Sequence, residues 1–368
     1  MGPIDVRARL RSFLLVFDPT LMTVLTLICF ISAVNMYSAA HDFPGRFESH
    51  VRNMGIAFIV MFVVACINPG LLMRLALPTF IIGLGLLVGV AVFGDVSKGA
   101  RRWLNIGFTR IQPSEIMKIA MPLMLAWYFQ RREGAYRWFD FLLAAVLLVI
   151  PTLLIARQPD LGTAILVTAA GAYVIFLAGL RWRIIIGIVV LAVASLPLLW
   201  SVIHDYQKQR VLMLLDPTSD PLGKGFHIIQ STIAVGSGGL TGKGFMLGTQ
   251  THLEFIPERT TDFIFAVFAE EFGLMGAGVL ILLYLAFISR GFVISGLGGT
   301  VFQRLLAGAI ALIFFTYAFV NMGMVTGILP VVGVPLPLMS YGGTAMVTLG
   351  VGAGILMSIN RNRKLMQS

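Results

Sequence analysis

Apolar runs of about twenty residues recur along the chain, separated by short polar segments, and about twenty mostly apolar residues suffice for a helix to cross a bilayer. Ten runs stand out, at roughly 20–40, 53–68, 71–93, 115–131, 139–157, 161–180, 183–203, 262–289, 302–328 and 338–359. They are apolar nearly all round, as helices of a lipid-facing bundle should be. The second is short and extends through Val51 and Arg52, whose side chain can snorkel to the interface. The pattern predicts an all-α polytopic membrane protein of about ten transmembrane helices, a single domain over residues 1–368. One polar stretch is long, 204–261, between the seventh and eighth runs. Its length and varied composition predict a folded lid rather than a linker. Phe226, Ile229 and Ile233 stand at helical spacing and predict a short interfacial helix there. Gly236, Gly238, Gly239, Gly242 and Gly244 follow, and predict tight turns and close backbone approach to a ligand.

Composition agrees with the pattern. Hydrophobic residues make up 58% of the 368 and charged residues only 12%, against about 25% charged in a soluble domain. The net charge of +10 does not indicate nucleic acid, because the basic residues are scattered between apolar runs rather than gathered on one surface. Arg7, Arg9, Arg11, Arg74, Arg131, Arg132, Arg137, Arg181, Arg183, Arg290, Arg304, Arg361, Arg363 and Lys364 all fall on one side of a ten-span topology. The positive-inside rule makes that side, with both termini, cytoplasmic. The long loop then lies outside. The 94–114 loop breaks the rule, with Lys98, Arg101, Arg102 and Arg110 against Asp95 alone. An anionic ligand would account for it; so would a topology fixed by the neighbouring helices. The N-terminus is polar and shows no cleavable signal. Cys29 and Cys66 sit in apolar runs and read as packing residues.

Ionisable residues at membrane depth are the candidates for chemistry, because burying them is costly. Glu115 and Lys118 are three apart and share a helix face. They either lock the helix entry or wall an internal cavity; their depth favours the cavity. Asp160 either caps the sixth helix or presents a carboxylate at the outer surface, and spacing does not choose. Asp262 opens the eighth span, where Thr260, Thr261 and Asp262 are all N-cap types without a capping box. Glu270 and Glu271 lie two turns deeper, one of them facing the bundle and pairing with Arg or Lys. Residues 327–338 stay apolar but hold Pro330, Pro335 and Pro337, so they predict a re-entrant or interfacial turn. There is no P-loop, no metal-binding spacing, no internal repeat and no matched pair of broken helices.

Four motifs occur in order: Gln112-Pro113-Ser114-Glu115 through Lys118; Gln158-Pro159-Asp160-Leu161-Gly162; Thr261-Asp262-Phe263-Ile264-Phe265-Ala266 through Glu270-Glu271-Phe272-Gly273; and Gly333-Val334-Pro335-Leu336-Pro337 to Ser340-Tyr341-Gly342-Gly343. Together they resemble the signature of the SEDS family (shape, elongation, division and sporulation). The stretch Gly239 to Gly244, with Gly248-Thr249-Gln250 and Leu253 to Arg259, is similar to its rod-shape elongation branch.

The resemblance implies a peptidoglycan glycosyltransferase that joins lipid II units on the outer face of the bacterial cytoplasmic membrane, working with a class B penicillin-binding protein. It implies Asp262 as the catalytic residue, with Glu115, Lys118, Asp160 and Ser340 around the cavity. The chemistry needs a base for the acceptor hydroxyl and cations for the departing diphosphate. Lys118, Arg101, Arg102, Arg210 and Lys243 are the cationic candidates. A divalent ion, Mg or Mn, held by Asp262 or Asp160 would share that task. A lipid II flippase, a scaffold for the penicillin-binding protein and a division-type member with the same chemistry are the competing readings.

Overall fold

The computed structural model describes residues 16–97, 100–105, 110–134, 136–202, 208, 212–214, 216, 224–253, 255–256 and 258–367. Ten long helices among them match the ten predicted spans. They are α1 (Pro19–Ala39), α2 (Arg46–Cys66), α3 (Pro69–Phe93), α4 (Pro113–Arg131), α5 (Trp138–Ala156), α6 (Leu161–Leu177), α7 (Trp182–Val202), α10 (Ile264–Gly296), α11 (Val301–Val325) and α12 (Gly343–Gln367). Two shorter ones, α8 (Lys224–Ser237) and α9 (Thr249–His252), lie in the long loop. Seven helices, α1, α2, α3, α5, α10, α11 and α12, are long and apolar enough to cross a membrane; α6 and α7 are shorter apolar helices. The remaining one, α4, holds Glu115 and Lys118. Several starts are set by local chemistry. Asp18 accepts from Leu21 N and Asn68 from Gly70 N, each just before a proline in the first turn.

Three boundaries depart from expectation. Helix α2 starts at Arg46, behind a left-handed Gly45, so the second span is not short. Helix α10 starts at Ile264, which leaves Asp262 in the turn before it rather than at the helix opening. Helix α12 starts at Gly343 rather than 338, because Ser340 ties back to Leu336 N and holds a turn there. The 94–114 loop also contains strands the sequence reading did not anticipate: β1 (Asp95–Ser97), β2 (Ala100–Asn105) and β3 (Arg110–Ile111) form a small antiparallel sheet in that order. Strands β1 and β3 are too short for an alternation to register, and Ala100-Arg101-Arg102-Trp103-Leu104-Asn105 over β2 does not alternate.

Helix α12 packs along α2 more extensively than any other described pair of helices. A β-carbon at Gly350 would stand 2.7 Å from Ala57 O, and one at Gly354 2.5 Å from Met61 O. Two glycines four apart let these backbones approach, as small residues do between membrane helices. Gly354→Val is expected to destabilise the bundle by about 1–3 kcal/mol, measured as earlier thermal unfolding in detergent. At the end of the bundle remote from Asp262, buried Asp18 receives Arg290 at 2.6 Å and Asn360 at 2.8 Å, tying α1, α10 and α12. Helix α7 is unlike the rest: its described side chains are exposed or half-exposed on every face.

The long loop docks on α10. The protein-facing stripe of α8 is Ile228, Ser231 and Ala234, and Ser231 donates to Val325 O. The short helix expected from Phe226, Ile229 and Ile233 is present, and Ile233 lies on its exposed face. The glycine run makes the expected tight turns, with Gly239, Gly242 and Gly244 at positive φ, and it closely approaches the chain's own backbone. Gly238 packs on Ala269 O, and Gly242 on Glu271 O. Lys243 N and Gly244 N donate to Glu270 O and Glu271 O, while Leu274 N and Met275 N donate to Gly239 O and Leu240 O. Helix α10 breaks at Gly273 (φ 65°) to admit these bonds, a conformation that favours glycine.

Candidate active site

Asp262 sits half-buried in the turn that delivers the chain into α10. The turn is closed by Thr261 N and Phe263 N donating to Glu258 O. Its backbone and the Thr260 hydroxyl are then fastened from four directions. Asn321 of α11 donates to Asp262 O at 2.8 Å and to Val334 O at 2.7 Å. Ser340 Oγ donates to Thr261 O at 2.6 Å. Tyr341 N donates to Thr260 O, and Arg46 to Thr260 Oγ1. Asn35 of α1 donates to Ile264 O.

The proline-rich segment 327–342 is the other wall. It is non-helical, as its prolines predict; its second half is buried in protein, with Val334, Leu336 and Met339 inaccessible, while Ile328 in its first half is exposed. Tyr284 OH holds Pro337 O. Gly333 (φ 75°) lies against the carboxylate, and a β-carbon there would be 3.4 Å from Asp262 Oδ2. The same strip of chain meets α6, where a β-carbon on Gly162 would be 2.6 Å from Val332 O. Asp262 and the start of α6 therefore flank one apolar segment.

Asp160 does cap α6, accepting from Thr163 N at 3.2 Å. Its other oxygen takes Gln112 Nε2 at 3.0 Å, with Arg102 Nε 4.0 Å away. Arg102 also donates to Pro159 O. Of the two readings left open for Asp160, the cap is the one seen; the carboxyl is buried rather than presented at a surface, and it lies near the Arg102 cation.

Glu115 and Lys118 form the expected pair at 2.6 Å. Lys118 is 2% exposed and donates also to Tyr317 OH at 2.7 Å. Thr348 of α12 donates to the free oxygen of Glu115. Lys118 therefore lies behind the cavity wall, and Glu115 (12% exposed) is the member that reaches it. A groove of about 540 Å³ runs between α2, α3, α4 and α12, lined by Asn53, Thr79, Gln112, Glu115, Thr344 and Thr348 among apolar side chains. Tyr317 and Asn321 are one turn apart on α11, so a single helix face carries the Lys118 contact and the Asp262 contact.

The remaining candidates stand elsewhere. Lys243 donates to Glu270 at 2.7 Å and to Thr249. Glu270, wholly buried, also accepts from Gln250 N and Thr251 N. Lys243 thus holds α9 to α10 and is not offered to the Asp262 turn. Arg210 lies outside the described residues, and so does the side chain of Arg101. Among the described residues, no three His, Cys, Asp or Glu side chains converge as a metal cage.

Glu271 is buried as well and takes Ser38 of α1. Nearby, His252 Nδ1 lies 3.2 Å from His41 Nε2, and His252 Nε2 lies 3.7 Å from Glu271. Asp42 bridges His41 and Arg259, each at 2.7 Å. Partial burial, then the charges of His41 and Arg259, lower the His252 pKa below its usual value. A lowered histidine pKa means the unfolded chain binds the proton first, so stability falls as pH drops below about 6.5. Thermal unfolding should therefore come earlier at pH 5.5 than at pH 7.5, and His252→Gln should flatten that slope.

Asn321 and Tyr317 escaped the sequence reading. The available signal was a lone amide and a phenol four residues apart in an otherwise apolar span.

A family model described as the cell cycle protein FTSW_RODA_SPOVE matches residues 12–365. The peptidoglycan glycosyltransferase MrdB of Escherichia coli K12 is 52% identical over 350 residues, 95% of each chain. MrdB of Helicobacter pylori J99 is 38% identical over 280 residues, 74% of this chain and 72% of that one. Among solved structures, a chain from a study of the coordination of polymerization and crosslinking by a peptidoglycan synthase complex superposes with a TM-score of 0.81, at 34% identity, covering 94% of this chain and 98% of that one. The rod shape determining protein RodA of Thermus thermophilus gives 0.72 at 29% identity, covering 94% and 97%. Motifs, helix order and comparisons agree, and the chain belongs to the FtsW/RodA/SpoVE family of cell cycle proteins, the SEDS family.

Proposed function

We propose that the chain is a peptidoglycan glycosyltransferase that polymerises lipid II into glycan strands, with Asp262 as the general base. Likeness to MrdB over nearly the whole length supports the activity. One observation carries the site: a half-buried carboxyl, its backbone pinned on several sides, facing the glycine of an apolar segment. The acceptor's sugar 4-hydroxyl attacks the donor's anomeric carbon. Its proton passes to Asp262, and the bond to the diphosphate breaks with both electrons leaving on phosphate. Diphosphate is a good leaving group, so no second carboxylic acid is needed, unlike the glycosidase pair.

Arg102, half-buried and steadied by Asp160, is the described cation best placed for diphosphate. The groove, mostly apolar and lined in part by Gln112, which bonds Asp160, suits a polyisoprenyl chain. A divalent ion is held by one or two carboxylates together with substrate phosphates; it would supply positive charge to the leaving diphosphate. Asp262, a half-buried carboxyl beside the apolar segment, fits that part. Asp160 fits it poorly, since both its oxygens already accept hydrogen bonds.

The Asp262 end faces the outside of the cytoplasmic membrane in this reading, because Arg131, Arg132, Arg137, Arg181 and Arg304 gather at the other end. The partner is a class B penicillin-binding protein that cross-links the product; the peptidoglycan synthase complex among the structural neighbours supports it. The test is purified protein with lipid II in detergent, where no gradient exists. Glycan polymer is the expected product. Unchanged lipid II, from folded protein supplied with its partner, favours the flippase reading.

A further inference from the structure

At the end of α4–α6 remote from Asp262, two adjoining pockets of about 570 Å³ each share Arg137 and Phe139. One lies beside Arg131 and Arg132, the other beside Arg181 and the Gly179 turn between α6 and α7. The acids there are already engaged. Asp140 accepts from Tyr128 OH and from Arg137 N, with Arg132 3.7 Å away. Glu133 takes Gln130. Arg131 lies over the Trp127 ring. Among the described residues, no carboxylate pairs with the guanidinium of Arg137 or Arg181. Arg137 and Arg181 thus flank one concavity without a direct ion-pair partner among the described residues, and Asp140, the acid whose field reaches Arg137, is already held by Tyr128 and Arg137 N. Its apolar rim is Trp138 and Phe139, both about three-fifths exposed, and it continues onto the exposed Leu142 and Ile184.

Each feature constrains the occupant. Guanidinium groups with free donors favour phosphate oxygens, in bidentate geometry. A large exposed indole beside them suits the headgroup level of a bilayer. Apolar faces running away from the cations along α5 and α7 suit acyl chains. A soluble anion would use only the cations, and an acidic peptide would leave the apolar rim uncovered. Basic pockets between membrane helices are also where anionic headgroups are held.

We propose that Arg137 and Arg181 form a binding site for an anionic glycerophospholipid, its phosphodiester between the two guanidinium groups and its chains along Phe139, Leu142 and Ile184. The site is separate from the Asp262 turn and does not depend on the catalytic reading.

The experiment is native mass spectrometry of the full chain released from micelles containing equal phosphatidylglycerol and phosphatidylcholine. Two cations near an anionic headgroup give a preference of roughly thirtyfold for phosphatidylglycerol. Arg137→Gln with Arg181→Gln should reduce it below about threefold, with thermal unfolding and polymer yield in zwitterionic detergent unchanged. Phe139→Ala should weaken retention of both lipids alike. The proposal is overturned if the wild type retains the two lipids equally, or if the double variant keeps the preference. It is also overturned if millimolar inorganic phosphate displaces phosphatidylglycerol, which would mark a site for a free anion.

Discussion

Asp262→Asn is expected to remove polymerisation while leaving the protein folded. The amide keeps the size of the side chain and the backbone bonds to Asn321 and Ser340, which do not use the carboxyl. What it loses is the ability to take a proton. Positioned bases contribute about 10²–10⁴-fold, so the rate of glycan formation should fall by at least that lower bound. Thermal unfolding should stay close to the wild-type temperature, because the isosteric amide leaves the backbone bonds of the turn in place. Polymer at the wild-type rate from this variant would take Asp262 out of the chemistry.

Lys118→Ala is expected to have the largest effect on stability. The ammonium is buried between Glu115 and Tyr317. Removing it leaves a largely buried carboxylate without its countercharge, and breaking such a pair from one side costs about 3–5 kcal/mol. Earlier unfolding in detergent and less protein in membranes should both result. Replacing the pair together, Glu115→Gln with Lys118→Met, should recover most of that stability, since no charge is then stranded. Polymer yield should remain low in the double variant, because Glu115 lines the groove. A single variant that melts with the wild type would show the pair to be incidental.

The helices were legible because a membrane span announces itself over twenty residues, and all ten runs became helices. The Glu115–Lys118 pair and the Asp160 cap were legible for a related reason: both are local, set by three-residue spacing within a helix turn. Asp262 stood out as an acid at a span boundary. Contacts between distant segments were not legible. Nothing in the spacing of Asn321 says that it reaches Asp262 O, 59 residues away in sequence. The glycine run shows the same limit. Its density signalled close approach, but not that the segment approached is the backbone of α10. Lys243 followed it, reading as a free cation until Glu270 was found beside it.

The central claim is that sugar transfer takes place where the Asp262 turn meets the 327–342 segment. It is tested most directly by irradiating purified protein with a lipid II analogue that carries a photoreactive group on the sugar nearest the diphosphate. The account predicts adducts on the turn 258–263, on residues 332–341 and near Arg102, with far fewer in Asp262→Trp, whose bulk fills the space. Labelling confined to the Lys243–Thr249 loop or to lipid-facing α7, with those segments unmarked, would contradict it.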